Sequence, residues 1–380
     1  MKDTALKLEP FALERFFAEY EFSVTYNMGP SDCETITINN LLSLSGTQAA
    51  ENLGELALGY TESSGGHGLK TAVTGLYNDI KPEDLLIAAP QECIFLFLMS
   101  TVSKGGHVIV MTPSYQSLLS IPRAAGCEVS SVPVVEEGSG WTIDPDDLSG
   151  LIQQNTQCII INTPHNPTGL VLDGEKRRRI IETARKHGIP VFCDEMYRGL
   201  EYGLAETPVS LCDDYENAVC LSGLSKAYGL PGLRIGWLVS RNRKYIGAAA
   251  GLKDYTTICN SAPSEFLAEI ALRSGNRIIG NVMTIVRNNL DTVETFFKRY
   301  PGLLVMKYGT GGSTIFPRFR NTVSSMDIAR RLAAKKDTLL VPGTLFDMDP
   351  VYFRIGLGRR DLPEALNRFG SFLEEEYGNP

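Results

Sequence analysis

The sequence lacks the features that mark a disulfide-rich or zinc-binding chain. Its eight cysteines are scattered without a C-x-x-C pair, and several lie inside apolar runs such as Cys158-Ile-Ile-Ile. Cysteines of this kind are typical of small buried core residues in a reducing compartment. The four histidines show no metal-ligand spacing, so no metal site is predicted.

No segment of the sequence is typical of a signal peptide or a membrane span. The N-terminal residues carry acids and no apolar core. The longest apolar stretch, Ile94 to Val102, is far short of the roughly 20 residues that a span needs. A net charge of −8 disfavours nucleic acid and anionic membranes as partners. We therefore expect a cytoplasmic protein.

What is present is an alternation of short β-rich runs with helical segments. The predicted strands are seven: 85–89, 108–111, 129–132, 158–162, 190–194, 218–222 and 235–239. This alternation predicts an α/β fold with a mainly parallel seven-stranded sheet covered by helices. The later patterns indicate a smaller α+β domain. We expect an N-terminal helix and arm at 1–52 that belong to the small domain, a large domain at 53–280, and a C-terminal small domain at 281–380. The crevice between the domains is the expected site.

Three motifs place polar side chains directly after predicted strands. They are Asn162-Thr-Pro-His-Asn166-Pro-Thr-Gly169, Val191-Phe-Cys-Asp194-Glu-Met-Tyr197, and Ser225-Lys226-Ala-Tyr-Gly-Leu-Pro-Gly-Leu-Arg234. Open α/β sheets bind their ligands at this edge, outside the carboxyl ends of the strands. An amide, a carboxylate, a phenol, a lysine and an arginine together suit an aldehyde cofactor that carries a phosphate and a ring nitrogen.

Each of these residue types has a chemical reason to be there. Lys226 can attack a carbonyl and hold it as a Schiff base when burial or a nearby cation keeps its amine neutral. Arg234 has the shape to bind a phosphate. Asp194 needs a cationic or donor partner if it is buried, and a protonated pyridine nitrogen would serve. A helix cap or the acid of a nucleotide hydrolase is the alternative interpretation of Asp194.

With these motifs the chain resembles the class I/II aminotransferases, which are fold type I enzymes that use pyridoxal 5'-phosphate. The resemblance extends from about residue 54 to 373. It implies that Lys226 is the catalytic Schiff-base lysine and that Asp194 pairs with the pyridine nitrogen. It also implies that Asn166 and Tyr197 bind the 3-oxygen of the ring, and that Ser225 and Arg234 bind the phosphate.

The phosphate loop of the family is matched more loosely, by Ala88-Ala-Pro-Gln91-Glu92. Ala89-Pro90 replaces the usual Gly-Ala pair, and proline has no N–H to donate. The resemblance therefore implies that the backbone N–H groups of Gln91 and Glu92 hold the phosphate at a helix N-terminus. An ordinary helix start with proline in its first turn is equally compatible with this segment.

Three further residues complete the implied site. Tyr115 matches the aromatic residue that lies over the pyridine ring, although a core aromatic is the alternative. Tyr60 resembles the tyrosine that reaches the phosphate from a neighbouring subunit, which implies a homodimer. Arg354, in a predicted strand of the small domain, matches the arginine that binds the substrate α-carboxylate. Asn166 is also implied to contact the substrate. A salt-bridged strand residue is the alternative interpretation of Arg354.

The implied reaction transfers the amino group of an α-amino acid to a 2-oxo acid. The same cofactor residues also support β-elimination or cyclisation. The arm from Tyr26 to Glu34 lacks the common Gly-x-Pro lead and is similar to that of capreomycidine synthases, which cyclise a hydroxylated arginine. Asp32 or Glu34 could meet a cationic substrate side chain or could be a solvent-facing loop acid. A non-catalytic regulator with this fold is a further hypothesis, although such proteins usually carry a fused DNA-binding segment that we do not expect here.

Overall fold

The computed structural model describes residues 7–204 and 208–378. The chain begins with an amphipathic helix, an extended arm and three more helices: α1 (Ala12–Tyr20), β1 (Tyr26–Asn27), α2 (Ile38–Leu42), α3 (Gln48–Gly54) and α4 (His67–Thr74). Helix α1 buries Leu13 and Phe16, as its apolar spacing predicts. No helix in the described ranges is both long enough and apolar enough to cross a bilayer.

The middle of the chain alternates strands and helices. Its strands are β2 (Leu85–Ala88), β3 (His107–Thr112), β4 (Glu128–Pro133), β5 (Val135–Glu137), β6 (Gly140–Thr142), β7 (Thr156–Asn162), β8 (Val191–Asp194), β9 (Ala218–Gly223) and β10 (Gly236–Val239). Its helices are α5 (Pro90–Thr101), α6 (Ser117–Ala124), α7 (Pro145–Gly150), α8 (Gly174–His187), α9 (Leu211–Asp214), α10 (Arg243–Lys253), α11 (Ala262–Arg273) and α12 (Gly275–Arg299).

Seven of these strands form one sheet in the order β2-β10-β9-β8-β7-β3-β4. All neighbours are parallel except β10, which runs antiparallel to both β2 and β9. The inner strands are buried along almost their whole length, because helices cover both faces of a parallel sheet. The predicted seven-stranded sheet is confirmed.

Local signals in the sequence set the helix ends. At the start of α8 the side chain of Asp173 accepts a hydrogen bond from the Lys176 N–H at 2.8 Å, and at its end Gly188 adopts the left-handed conformation with φ 66°. Helix α5 packs on the sheet through Phe97, whose ring stacks on that of Phe192 in β8 at 4.9 Å.

The C-terminal part is a smaller α+β unit made of short strands and two helices: β11 (Leu304–Val305), β12 (Thr314–Ile315), β13 (Arg318–Phe319), α13 (Ser325–Lys336), β14 (Thr338–Leu339), β15 (Val341–Pro342), β16 (Phe353–Gly356) and α14 (Leu362–Tyr377). Strand β1 of the N-terminal arm pairs in parallel with β14. The arm therefore packs with this unit, although the domain division at residues 52 and 280 stays a prediction.

Candidate active site

Most of the predicted polar residues line a single cavity of about 320 Å³ beyond the carboxyl ends of β7, β8 and β9. The predicted residues that line it are Gln91, Tyr115, Asn166, Asp194, Tyr197, Ser225, Lys226, Arg234 and Arg354. The sheet brings the residues of the three motifs together because β7, β8 and β9 are parallel neighbours. Their carboxyl ends therefore lie at one edge of the sheet.

Asp194 is the last residue of β8 and is buried. Its Oδ1 accepts a hydrogen bond from the Met196 N–H at 3.0 Å, and no side chain in the described part of the chain donates to this carboxylate. Burial raises the pKa of Asp194 to about 6, although the Met196 N–H and the charge of Lys226 act in the opposite direction. This carboxylate therefore lacks the cationic partner that a buried acid needs.

Asn162, the last residue of β7, ties the two neighbouring loops together. Its Nδ2 donates to the backbone oxygens of Asp194 at 2.8 Å and Pro164 at 3.0 Å. Its Oδ1 accepts from the Asn166 N–H at 2.7 Å. Asn162 thereby fixes the loop that carries Asn166 against the strand end that carries Asp194.

His165 is a second residue that holds this loop, and sequence reasoning gave it no role. It is buried, with Nδ1 2.7 Å from the Thr168 Oγ1 and Nε2 2.7 Å from the backbone oxygen of Pro113. Burial lowers its pKa to about 4, so the ring is neutral near pH 7. His165 links the loop after β7 to the loop after β3, which carries Tyr115.

Lys226 lies three residues beyond β9 and is half-buried. Its Nζ donates a hydrogen bond to the Ser31 Oγ at 2.9 Å and lies 5.9 Å from the centre of the Tyr197 ring. Ser31 belongs to the N-terminal arm, and its backbone oxygen accepts a hydrogen bond from the Ser313 hydroxyl at 2.6 Å. The amine is therefore held toward the cavity by an arm anchored on the C-terminal unit.

An anion cradle lies at the same end of the sheet. The hydroxyl of Ser225 is buried without a hydrogen-bond partner in the described structure. The first helical hydrogen bond of α5 runs from the Cys93 N–H to the Ala89 oxygen, so the N–H groups of Gln91 and Glu92 precede it. A Cβ at Gly223 would lie 2.9 Å from the Gly236 Cα. This close approach explains why a glycine stands at position 223, where the end of β9 meets the start of β10.

Pyridoxal phosphate fits these residues. The orphaned Ser225 hydroxyl, the exposed guanidinium of Arg234 and the start of α5 suit a phosphate. The unpartnered carboxylate of Asp194 suits a protonated ring nitrogen, and the amine of Lys226 suits an aldehyde.

Arg354, in β16, is 1% exposed, and its guanidinium lines the cavity. Its Nε and Nη2 donate to the Gly29 oxygen at 3.0 and 2.7 Å, and its Nη1 donates to the Asn166 Oδ1 at 3.1 Å. Burial lowers its pKa. A guanidinium has five N–H donors, so Arg354 retains two for a ligand. Arg354 makes no salt bridge with a described residue, so the alternative interpretation as a salt-bridged strand residue is not supported.

Two predicted residues do not meet the cavity. The Glu92 carboxylate instead accepts hydrogen bonds from the hydroxyl groups of Thr256 and Thr257. The backbone N–H of Glu92 is therefore the group that is left to contact a phosphate. Tyr60 is 92% exposed and does not line the cavity within one chain. The contribution of Tyr60 to a partner's site stays a prediction.

The N-terminal helix and arm supply cavity residues that sequence reasoning missed. Leu13, Glu14, Phe17 and Glu21 line the cavity from α1 and its C-terminal cap, and Ser31 lines it from the arm. The Tyr115 hydroxyl donates to the Glu14 Oε1 at 3.0 Å. The spacing of 14, 17 and 21 places them on one helical face, which is the signal that could have identified them.

The two candidate acids of the arm have different surroundings. Asp32 lines the cavity and forms a salt bridge with Arg359 at 2.7 Å. Glu34 does not line it, and its Oε2 accepts a hydrogen bond from the Arg360 N–H at 3.0 Å. The expectation that an arm acid faces the site therefore holds for Asp32 alone of these two.

A buried group of potential metal ligands lies beside the β8 end, formed by Cys193, Glu195 and Cys220 with ligand atoms within 4.8 Å of one another. Both Glu195 oxygens are already bound, to the Ser210 hydroxyl and to the Leu211 N–H, each at 2.7 Å. Burial raises the pKa of Cys193 to about 11 and also raises the pKa of Cys220 well above its ordinary value. The thiols are therefore neutral near pH 7 and behave as core residues.

Comparison with known proteins identifies the family of this chain. Residues 37–369 match the family described as aminotransferase class I and II. The chain is 30% identical to an aspartate aminotransferase of Pyrococcus horikoshii over 83% of each chain. It is 29% identical to a capreomycidine synthase of Streptomyces vinaceus over 76% of this chain and 72% of that one. A solved PLP-dependent aminotransferase from Streptococcus suis superposes with a TM-score of 0.90 at 30% identity, covering 97% of this chain and 98% of the other.

The fold and the cavity thus define a fold type I enzyme that uses pyridoxal phosphate. The chain belongs to the class I and II aminotransferases. It transfers the amino group of an α-amino acid to a 2-oxo acid, as the family match and the aminotransferase relatives establish.

Proposed function

We propose that this amino transfer takes place at Lys226, with Asp194 and Arg354 holding the reactants. The observation that carries the proposal is the convergence of three groups on one cavity: a lysine amine, a buried carboxylate and a buried guanidinium. Among the described residues, the carboxylate has no cation bound to it and the guanidinium has no carboxylate. Each of the two buried ions lacks the partner that the cofactor or the substrate would supply.

When bound, pyridoxal phosphate supplies an aldehyde that condenses with amines and a ring that withdraws electrons. Asp194 keeps the ring nitrogen protonated, because its carboxylate is buried and otherwise uncompensated. With the cofactor bound, Lys226 Nζ would act as the general base that takes the proton from the substrate α-carbon and as the acid that gives a proton back. Ser31 Oγ holds that amine in place before it reacts.

Arg354 binds the substrate α-carboxylate through the two donors that its bonds to Gly29 and Asn166 leave unused. Those bonds fix the guanidinium plane before substrate arrives. The α-carbon is thereby oriented toward Lys226, which reduces the entropy cost of reaching the reactive geometry.

Cyclisation or β-elimination on the same cofactor is a second candidate. It is favoured by the similarity to a capreomycidine synthase and by the arm residues Ser31 and Asp32 in the cavity. All of these reactions begin with the removal of the α-proton, and they diverge only after that step.

The test is to incubate the holoenzyme with single amino acids, with and without a 2-oxo acid acceptor, and to measure 2-oxo acid and ammonia separately. Formation of 2-oxo acid without ammonia supports transamination at this site. Ammonia release indicates elimination, and consumption of the amino acid without either product indicates cyclisation. The Lys226→Ala variant should form no product in any of these assays; retained turnover would refute the assignment of Lys226.

We also propose a homodimer in which Tyr60 reaches the partner's phosphate site. Tyr60 at 92% and Leu58 at 82% are among the most exposed large apolar side chains described and line the same surface depression, and contiguous exposed apolar surface marks interaction sites. Sedimentation equilibrium measures the assembly state; a monomer at micromolar concentration would refute the homodimer.

A cytoplasmic location is inferred from eight unpaired cysteines.

A further inference from the structure

The N-terminal segment gives the cavity three carboxylates that the proposed reaction does not use. Glu14 lies in α1, Glu21 directly follows that helix, and Asp32 comes from the arm. They face the same space as the guanidinium of Arg354 and the unpartnered hydroxyl of Ser225. The acids thus lie in a cavity that other residues independently mark as a ligand site.

The three acids differ in how far they are satisfied. Asp32 forms a salt bridge with Arg359 at 2.7 Å, and Glu14 accepts the Tyr115 hydroxyl at 3.0 Å. The side chain of Glu21 makes no hydrogen bond or ion pair with a residue in the described ranges, and it is half-buried. Burial, and then the charges of Asp32 and Glu14, raise the pKa of Glu21. A cation between these carboxylates would relieve that repulsion.

The cations that line the cavity have other partners in the proposed reaction. Lys226 takes the aldehyde, Arg234 the phosphate and Arg354 the substrate carboxylate. Arg359 stays with Asp32. Once cofactor and substrate carboxylate are bound, the half-buried Glu21 has no cation among the described residues to pair with, and the exposed Glu14 beside it adds a second negative charge. Partial burial of an unpaired carboxylate is unfavourable.

We propose that the substrate is an α-amino acid whose side chain ends in a guanidinium or ammonium group, bound by Glu21 with Glu14 beside it. This inference rests on the proposed function of the cavity. Leu13, Phe17 and Ile94 also line the cavity, and their apolar surfaces suit the methylene stem of such a side chain.

The test uses paired ligands that cannot react. The probe is 5-guanidinopentanoate, which keeps the carboxylate and guanidinium of arginine but has no α-amino group. Its neutral counterpart is 5-ureidopentanoate, which is nearly the same size. Calorimetry on the holoenzyme should give at least about tenfold tighter binding of the guanidino compound, as expected for a charge-assisted hydrogen bond. Arginine should likewise exceed citrulline in kcat/KM.

Glu21→Gln should reduce the preference for the guanidino compound to within about threefold. Glu19→Gln is the matched control, because it removes the same charge from the same segment of chain at a residue that does not line the cavity. It should leave the preference unchanged. Equal binding of the two compounds to the wild-type enzyme, or an unchanged preference in Glu21→Gln, would overturn the proposal.

The outcomes separate this proposal from the proposed function. Transamination of neutral or acidic amino acids without a preference for cations would overturn the substrate class and leave the proposed reaction standing. A clear charge preference with no turnover of any amino acid would support the cation site and refute the assignment of the reaction to Lys226 and this cavity.

Discussion

Replacing Asp194 with asparagine tests how much free energy the cofactor-free protein loses by keeping a carboxylate in this cavity. The side chain is buried, and its pKa is raised to about 6 from an ordinary 3.8. Each pKa unit corresponds to about 1.4 kcal/mol, so the buried charge destabilises the cofactor-free fold by about 3 kcal/mol at pH 8.

The sign comes from proton binding. Between pH 3.8 and 6 the folded protein holds the Asp194 proton more tightly than the unfolded chain does, so this group makes stability fall as pH rises through that window. Asp194→Asn removes the titration. We expect the free energy of unfolding of the variant, relative to wild type, to decrease by about 2–3 kcal/mol as the pH is lowered from 8 to 4.

Urea unfolding of the cofactor-free proteins at several pH values measures this difference. Asp291→Asn is the control, because it changes an exposed carboxylate in the middle of α12. A difference between wild type and Asp194→Asn that does not vary with pH would refute the reasoning. With cofactor present, the wild type should be the more stable of the two proteins, because Asp194→Asn lacks the charge that pairs with the ring nitrogen. The variant should also lose turnover.

Two further substitutions test the supporting residues. Arg354→Lys loses at least two of the three hydrogen bonds to Gly29 and Asn166, so kcat/KM for the amino acid should fall by about a hundredfold. Steady-state kinetics measures this fall, with Arg368→Lys as the control. A change within twofold would contradict the assignment of Arg354 to the substrate carboxylate. His165→Leu removes the hydrogen-bond partner of the Pro113 oxygen and one of the two partners of the Thr168 hydroxyl, which still accepts from the Leu170 N–H. The substitution should lower the free energy of unfolding by about 2–4 kcal/mol. Urea unfolding measures this loss against the exposed-site variant His67→Leu, and equal losses in both variants would argue against a role for this network.

The central sheet could be predicted from sequence because six of its seven strands contain a run of apolar residues, whereas in the edge strand β4 two valines flank a pair of serines. The observed ends differ from the predicted ones by a few residues at most, as for β7, which begins at Thr156 rather than 158. The antiparallel direction of β10 could not be predicted. A strand that is buried on both faces has the same apolar pattern whichever way it runs.

The convergence of the predicted cofactor residues on one cavity could be predicted because they lie at or shortly after the ends of neighbouring strands. Asn166, Asp194 and Lys226 needed no knowledge of long-range packing beyond the order of three parallel strands. Glu14 and Glu21 were missed because they reach the cavity only when α1 folds back over strands that come much later in the chain. The Phe11 ring lies 5.0 Å from that of Tyr115, which is one of the contacts that brings them there.

Helix α1 is joined to the catalytic loops by a small set of bonds. The Gln116 side chain accepts from the Ala12 N–H at 2.7 Å and donates to the Pro10 oxygen at 2.9 Å. The predicted cofactor residues come from the central sheet, whereas this short terminal segment lines the part of the cavity that we propose for the substrate side chain. We therefore expect mutations in α1 to change which metabolite is accepted while the residues proposed for bond making stay intact, and this segment is where an evolutionary change of substrate, or a laboratory graft, would begin.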